Sequence, residues 1–445
     1  MEPSFEVIRE LPLSSLSALC TSNKSWRDFC ARDDVWQTLY LRDFGQLPDQ
    51  KLSWKLEYLL NSSPTQVLTF GDNQSGQLGH SLDKTNIYVP TPILNDNLPQ
   101  IVQIAASNIN TYLLDNLGQV WGCGSNLDGQ LGRPNAISLQ NGLGLIPGLP
   151  PISQISAGGL SAFFLSKTGQ VWAVGDSSSG QLGLGNFHAQ TIPMRIPNLP
   201  QITQIACNFD QSFFLATDGY VWYCGSDLKQ EGVAFNSPIR IDMPGVIRIY
   251  AGYLFNIILV ANQKYSSSDL VDTYDLSNLP EPFLAPINWK KFNISSHRHL
   301  IISLYPKTSV AGANEFGQLG LGDSETRHQM VPNPDFDGAV LVSTGAQHTL
   351  VRKDDFQVYG CGSNQEGELG VDPKNWKITK PVQIPLTGFN DYYPIAIATG
   401  EHHSVILMKK ELKITPQVAE AYASHLKQVS PGKYEYRGHL LRVVE

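Results

Sequence analysis

Charge is scarce in this chain: Asp, Glu, Lys and Arg together make up only 16% of its 445 residues. What charge there is carries the wrong sign for gripping phosphates, because the net value is −8. Residues 1–65 hold 7 basic against 9 acidic side chains, residues 66–408 hold 18 against 27, and only residues 409–445 reverse the balance, with 7 against 4. An acidic central region without a basic tail argues against direct nucleic-acid binding. No apolar run approaches the length of a membrane span, and Met1 to Glu10 lacks a signal-peptide pattern, so an intracellular, membrane-free protein is expected, in the cytoplasm or nucleus. The six cysteines show no paired metal-ligand spacing, and the many glycines lack the Lys-Ser/Thr continuation of a phosphate loop. His402-His403 and His297-Arg298-His299 have no carboxylate at ligand or dyad spacing, and no Ser-His-Asp set can be assigned. The expectation is a protein that is not an enzyme and takes no cofactor or metal.

What the chain has in abundance is glycine, 38 residues, and the glycines are in phase. A phrase runs from Gly71-Asp72-Asn73 to Gly76-Gln77-Leu78-Gly79 and returns at Gly124 to Gly132, Gly175 to Gly183, Gly312 to Gly320 and Gly362 to Gly370, where Glu368 replaces the glutamine. A weakened copy begins at Gly225. The first four intervals between anchoring glycines are 53, 51, 50 and 87 residues, and the last is 50. A period near fifty suits a four-stranded propeller blade, and the long interval implies a further unit with an eroded phrase around Val271 to Leu276. A second marker, an apolar strand entered through a small-residue turn, recurs seven times: Ile104 to Leu114, Ile155 to Leu165, Ile205 to Leu215, Ile249 to Leu259, Ile294 to Ile302, Val342 to Val351 and Ile397 to Leu407. The first phrase lacks such a strand before it and the last strand lacks a phrase after it. Pairing the two chain ends would complete one blade and remove an exposed sheet edge.

Val171-Trp172-Ala173-Val174-Gly175-Asp176 through Gly180-Gln181-Leu182-Gly183-Leu184-Gly185, and Thr344-Gly345-Ala346-Gln347-His348-Thr349-Leu350, resemble the repeats of the regulator of chromosome condensation (RCC1) family. The resemblance covers roughly Gln66 to Met408 and implies an all-β, seven-bladed propeller over residues 66–408. Family roles include nucleotide exchange on the small GTPase Ran, nucleosome binding and protein docking, so fold alone does not select a function. Exchange factors of the family use a hairpin wedge in an early blade together with acidic and histidine side chains on one face. The early intervals here leave no room for a sizeable insertion, although Asp128, Asp176 and Asp227 lie in blade-tip loops where they would supply acidic contacts.

Residues 1–61 have a different period. Leu13, Leu16, Leu19 and Cys20, then Trp26, Phe29 and Cys30, then Trp36, Leu39 and Tyr40 follow helical spacing, with Asn23 and Asp33 or Asp34 as caps for the later two helices. A continuation through Trp54 to Leu60 leads into the polar linker Asn61-Ser62-Ser63-Pro64. The string Leu11-Pro12-Leu13-Ser14-Ser15-Leu16, followed by Leu19, Trp26, Phe29, Trp36 and Leu39, resembles an F-box, and Asn23-Lys24, Cys30 and Arg42-Asp43-Phe44-Gly45 bring it nearest to the versions in large DNA viruses of amoebae. That resemblance implies docking of those nine residues, Leu11, Pro12, Leu13, Leu16, Leu19, Trp26, Phe29, Trp36 and Leu39, onto a Skp1-like adaptor of a cullin ubiquitin ligase. The alternative use of the same apolar residues is internal packing. After Met408, Thr415-Pro416 opens a helix carrying Val418, Tyr422, Leu426 and Val429, and Pro431-Gly432 stops it ahead of a hairpin around Arg437-Gly438, giving a C-terminal segment, 409–445, of helix plus hairpin.

Two further repeated positions invite a reading. Cys123, Cys224 and Cys361 precede anchoring glycines and are expected to fill a small apolar core position. His299, His348 and His403 occupy one repeat position that elsewhere holds Asn110, Ser161, Gln211 or Phe255, mostly hydrogen-bonding residues, which favours a turn-supporting hydrogen bond over a metal site. Taken together, the sequence predicts a non-catalytic adaptor whose propeller binds a target protein while the N-terminal helices recruit a Skp1-type ligase. An exchange factor for a Ran-like GTPase and a structural or virion-associated scaffold are the alternatives.

Overall fold

The computed structural model describes all residues except 1–2, 6, 8–12, 23, 45–52, 81–84, 96–97, 134–139, 228–231, 243, 253–255, 261–291, 438 and 445. The expected eroded phrase at 271–276 therefore lies outside the described residues. Two compact units emerge: Thr65–Asn390 with Pro394–Met408, and Met1–Pro64 with Asp391–Tyr393 and Lys409–Glu445.

The larger unit is built of antiparallel sheets in sequence order. Four strands, Ile101–Ala106, Asn110–Asp115, Val120–Gly124 and Gln140–Leu145, make the first complete repeat. The pattern returns over 152–195, 202–241, 292–332 and 339–383, with a two-stranded pair, Val246–Ala251 and Asn256–Val260, between the second and third of these. A sixth four-stranded sheet joins the two ends of the unit: Thr65–Gly71 lies between Ile87–Pro92 and His403–Lys410, with Tyr392–Thr399 beyond. Each marker expected as one strand is in fact a hairpin. Ile104 to Leu114 breaks at Ser107, where the small-residue turn reverses the chain and lets Ile104 pair with Leu113.

The recurring phrase has a direct physical explanation. Asn126 Oδ1 accepts the Leu131 amide at 2.8 Å and Gln130 Oε1 accepts the Asp128 amide at 3.0 Å, so two side chains wind the loop around its own backbone. Leu131 is thereby driven into the core, fully buried. The same bonds recur as Asn73 with Leu78, Asn314 with Leu319 and Asn364 with Leu369, and as Gln77 with Ser75, Gln181 with Ser179 and Gln318 with Phe316. The anchoring glycine is required for space as well as conformation: Gly362 has φ +111°, and a Cβ there would overlap the Gln347 carbonyl.

The N-terminal part of the smaller unit shows, among its described residues, the helices α1 (Leu13–Ser22), α2 (Lys24–Cys30), α3 (Asp33–Phe44) and α4 (Trp54–Ser62). Trp26, Phe29, Val35, Trp36, Leu39, Tyr40, Trp54 and Tyr58 close into one aromatic core. The opposite side of α4 gives Leu56 and Leu60 to a second core shared with Ile414, Ala419, Tyr436 and Leu441. The C-terminal segment is thus part of this unit and does not stand as a third one. It contains the expected hairpin, Lys433–Tyr436 with His439–Val443, inside a four-stranded sheet completed by Leu412–Ile414 and Lys427–Ser430. Thr415 caps the short helix Pro416–Ala421. The helix ends well before Val429, because the turn at Pro431-Gly432 offers 427–430 a strand partner, and Lys427 pairs with Glu435 across it. The Asp33 carboxylate accepts the Trp54 amide at 2.7 Å, and Asp34 accepts from Val35. Asn23 lies outside the described residues.

Candidate functional site

Neighbouring sheets of the larger unit are joined by two different sets of side chains. From 103 to 249 the joint is an amide clamp, to which the Ser156 hydroxyl adds a contact with Cys207 in the next sheet. Gln103 donates to the Ile155 carbonyl and accepts from the Ile155 amide, both at 2.9 Å; Gln154 does the same to Ile205 and Gln204 to Ile249. From 295 onward the joints are hydroxyls and imidazoles. Ser295 meets Thr344 at 3.0 Å and Ser343 meets Thr399 at 2.8 Å. His299 Nε2 lies 2.7 Å from Thr349 Oγ1, His348 Nε2 lies 3.0 Å from Ser404 Oγ, and His403 Nε2 lies 3.0 Å from Thr111 Oγ1.

The histidine column is therefore an intersheet device, and the expected role in supporting its own turn is corrected. The Thr349 and Ser404 hydroxyls already donate to the Gln318 and Glu368 carbonyls, both at 2.7 Å, so His299 and His348 must donate from Nε2–H. Their Nδ1 atoms, and that of His403, are buried with no hydrogen-bond partner among the described residues. A second proton there would meet no acceptor. Burial accordingly holds the His348 imidazole down to about 4 and that of His403 to about 3, with neighbouring histidines adding to the effect for both and Glu368 opposing it at His348. Burial likewise lowers His299 well below its ordinary range.

One joint pairs a carboxylate with an imidazole. Glu368 takes the glutamine position, accepts the Glu366 amide at 2.9 Å and the Ser363 hydroxyl at 3.0 Å, and lies 3.6 Å from His402 Nδ1. Burial raises the Glu368 carboxyl, but the His402 bond, the His348 charge and the Ser363 bond outweigh it and leave it lowered. His402 is raised, chiefly by Glu368, with burial opposing and Glu401 and Asp72 adding to the rise. The His402 carbonyl also accepts the Asp72 amide at 2.8 Å, so this residue touches the end-joining pair of strands directly. The three cysteines are buried as expected and also act as donors: Cys123, Cys224 and Cys361 point Sγ at the carbonyls of Gln77, Gln181 and Gln318 in the preceding sheet, at 3.1–3.4 Å.

The loops between the third and fourth strands lie at one end of equivalent strands. Asp128 and Asp176 sit in two such neighbouring loops; burial, and then the Asp176 charge, raises Asp128. Asp176 is already engaged, accepting from Ser178 and from Gln181 Nε2 at 2.9 Å. Asp227 accepts from the Tyr223 hydroxyl at 3.4 Å. Leu127, Phe187 and Trp376, in the same class of loop, are exposed, by 75%, 47% and 51%. The sequence reading missed all three, although the loop positions were visible. The turns inside the first hairpins line a cavity of about 190 Å³, to which every sheet of the unit contributes, among them Ser107, Gly158, Asn208, Gly252, His297 and Thr399.

In the smaller unit, Trp26, Phe29, Trp36 and Leu39 are buried in the unit's own core, and Leu19 is half-buried against it. In this conformation those five pack internally and present no open docking face. Leu13 and Leu16 lie on α1, and Leu11 and Pro12 lie outside the described residues. Helix α4 is tied to the C-terminal sheet by the buried Tyr436 hydroxyl, which donates to Glu57 at 2.6 Å, with Arg437 3.8 Å from the same carboxylate. No described group of three or more His, Cys, Asp or Glu side chains has the geometry of a metal site. No helix among the described residues is long and apolar enough to cross a membrane.

Comparison with known proteins supplies the remaining information. The regulator of chromosome condensation of Xenopus laevis is 23% identical over 393 residues, covering 78% of this chain and 90% of that protein. A 121-residue stretch, 27% of this chain, is 31% identical to the probable E3 ubiquitin-protein ligase HERC6 of Homo sapiens and covers 12% of it. Among solved structures, Prp20p of Saccharomyces cerevisiae superposes with a TM-score of 0.65 at 20% identity, covering 83% of this chain and 97% of that one. Residues 66–415 match the model of the RCC1-like domain, and the chain belongs to that β-propeller family.

Proposed function

We propose that this chain is a non-catalytic interaction adaptor: a seven-bladed propeller that grips a target protein through the loops between its third and fourth strands, with the helical unit as an F-box-like recruiter of a Skp1-type ubiquitin ligase. The observation that carries the first half is the pairing of exposed Leu127, Phe187 and Trp376 with the acidic Asp128 and Asp176 in equivalent loops. Large apolar side chains exposed beside charges, on loops held by a rigid scaffold, are the composition of a protein-binding surface. Holding target and ligase on one scaffold would raise the effective concentration of each for the other. The similarity of one stretch to a probable ubiquitin ligase is compatible with that second half. Leu127→Glu with Trp376→Glu, in the full chain, should abolish capture of a defined target while leaving recruitment of a purified Skp1-family adaptor intact. Absence of adaptor binding by the unmodified chain in calorimetry would retire the ligase part.

A second reading has its own support. The solved structure of Prp20p is described together with its binding properties toward Gsp1p and histones, and the regulator of chromosome condensation resembles this chain over most of its length. An exchange factor for a Ran-like GTPase would use the same loop end, with Asp128 as the acidic contact still open. Accelerated release of labelled nucleotide from a purified GTPase, lost on Asp128→Lys, would favour this reading over the adaptor.

A further inference from the structure

The cysteines divide into two chemically different groups. Cys123, Cys207, Cys224 and Cys361 are buried thiols of the propeller. Burial pushes Cys123 and Cys207 up to about 12 and raises Cys224 and Cys361 further. Three of them point at backbone carbonyls and Cys207 lies 3.0 Å from the Ser156 hydroxyl. Such groups are poor nucleophiles and closed to reagents. Cys20 and Cys30 are instead joined as a disulfide that crosslinks α1 to α2. Cys20 is half-buried, whereas Cys30 is buried in the aromatic core.

At its C-terminal end, helix α1 is held among its described side chains by Leu19 and by this crosslink. Among its described side chains, Leu19 and Cys20 pack against the aromatic core, while Ser15, Ala18, Thr21 and Ser22 are exposed. A helix of ten residues is marginal in water without tertiary support. The crosslink is thus a covalent anchor of this end of the helix.

We propose that Cys20 and Cys30 form a redox-operated staple, which keeps α1 on the helical unit when oxidised and releases it when reduced by a dithiol. In the reduction, a thiolate of the dithiol attacks one sulfur, the Cys20–Cys30 bond breaks, and the second thiol of the reductant displaces the resulting mixed disulfide. The reductant leaves as its own disulfide and the pair takes up two electrons and two protons to become two thiols. The released helix carries Leu13, Leu16 and Leu19, so under the adaptor reading, on which this clause rests, reduction is what offers the docking helix to its partner.

The full chain is treated with N-ethylmaleimide and each cysteine is followed by peptide mass spectrometry, with hydrogen exchange measured in parallel. Native unreduced protein should leave all six sites unlabelled; after dithiothreitol, Cys20 should label first and Cys30 next, while the other four stay protected. Exchange over 13–22 should accelerate at least tenfold on reduction, with residues 101–241 unchanged, and Cys20→Ser with Cys30→Ser should reproduce the reduced pattern without reductant. Six free thiols in unreduced, denatured protein would overturn the proposal, as would unchanged exchange over 13–22. If the staple opens as described but neither form binds a Skp1-family adaptor, the redox inference stands and the adaptor reading falls.

Discussion

The two halves of the propeller solve one problem with different chemistry. Between residues 103 and 249, adjacent sheets are held by glutamine amides that bond both the carbonyl and the amide of one residue in the next sheet. Between 295 and 404, and onward to Thr111, they are held by hydroxyls and neutral imidazoles. Strand order within the four-stranded repeats of the two halves is the same. A glutamine amide does not titrate, whereas an imidazole buried in its neutral form stores a pH dependence. The repeat therefore fixes shape while leaving the response to acid free to differ around the ring.

The largest expected effect is on acid stability. His299, His348 and His403 have folded pKa values below the ordinary value for unfolded histidine, so the unfolded chain binds more protons at mildly acid pH and folding stability must fall as pH drops. The stability is complete above pH about 6.5 and is lost as pH falls, down to about 4 for His348 and about 3 for His403, at up to roughly 1.4 kcal/mol per pH unit for each histidine. His402 works the other way, since its raised pKa contributes stability below the unfolded value that disappears as pH rises through the folded one. Denaturant midpoints at pH 7 and pH 5 measure the sum. The triple substitution of the three buried histidines by Asn should flatten the dependence, and an unchanged slope would show that imidazoles do not control this half.

Breaking the other half should look different. Gln154→Ala removes both bonds to Ile205 and leaves a backbone amide and carbonyl to find new partners, at a cost of roughly 1–3 kcal/mol. The loss should be the same at pH 7 and pH 5. A loss that grows on acidification would erase the distinction between the halves.

A smaller effect tests the joint where the halves meet. A double-mutant cycle on His403 and Thr111, using Asn and Val, should return a coupling of about 1 kcal/mol that is the same at pH 7 and pH 4, because burial keeps His403 neutral down to about 3. Coupling that is lost by pH 4 would mean that His403 takes up its proton well above that value. The smallest effect is expected for Glu368→Gln, which restores the amide of the other phrases and keeps an acceptor for Glu366. The partly exposed His402 limits the ion pair to below about 1 kcal/mol. The readout is the His402 titration by NMR, which should shift down in the variant.

Legibility followed the range of the interactions. Gly124, Asn126, Gln130 and Leu131 act within nine residues of one another, so their spacing carries the whole loop and repeats wherever the loop does. Gln103, Gln154 and Gln204 each precede the isoleucine of a marker strand, a signal present in the chain but unread, because its partner is about fifty residues away. The histidine column was seen, but its bonds point to the next sheet and not into its own turn. The aromatic residues of the N-terminal helices were read as a periodic stripe, and a stripe does not say whether it faces a partner or its own core.

Local sequence determined the repeat length, the loop geometry and the antiparallel sheets, since each depends on hydrogen bonds between residues close along the chain. Only the tertiary structure decided which chemistry joins one sheet to the next, that α4 serves two cores at once, and that Cys20 meets Cys30. Those outcomes depend on which distant surfaces come into contact, and the identity of a residue does not record its neighbours in space.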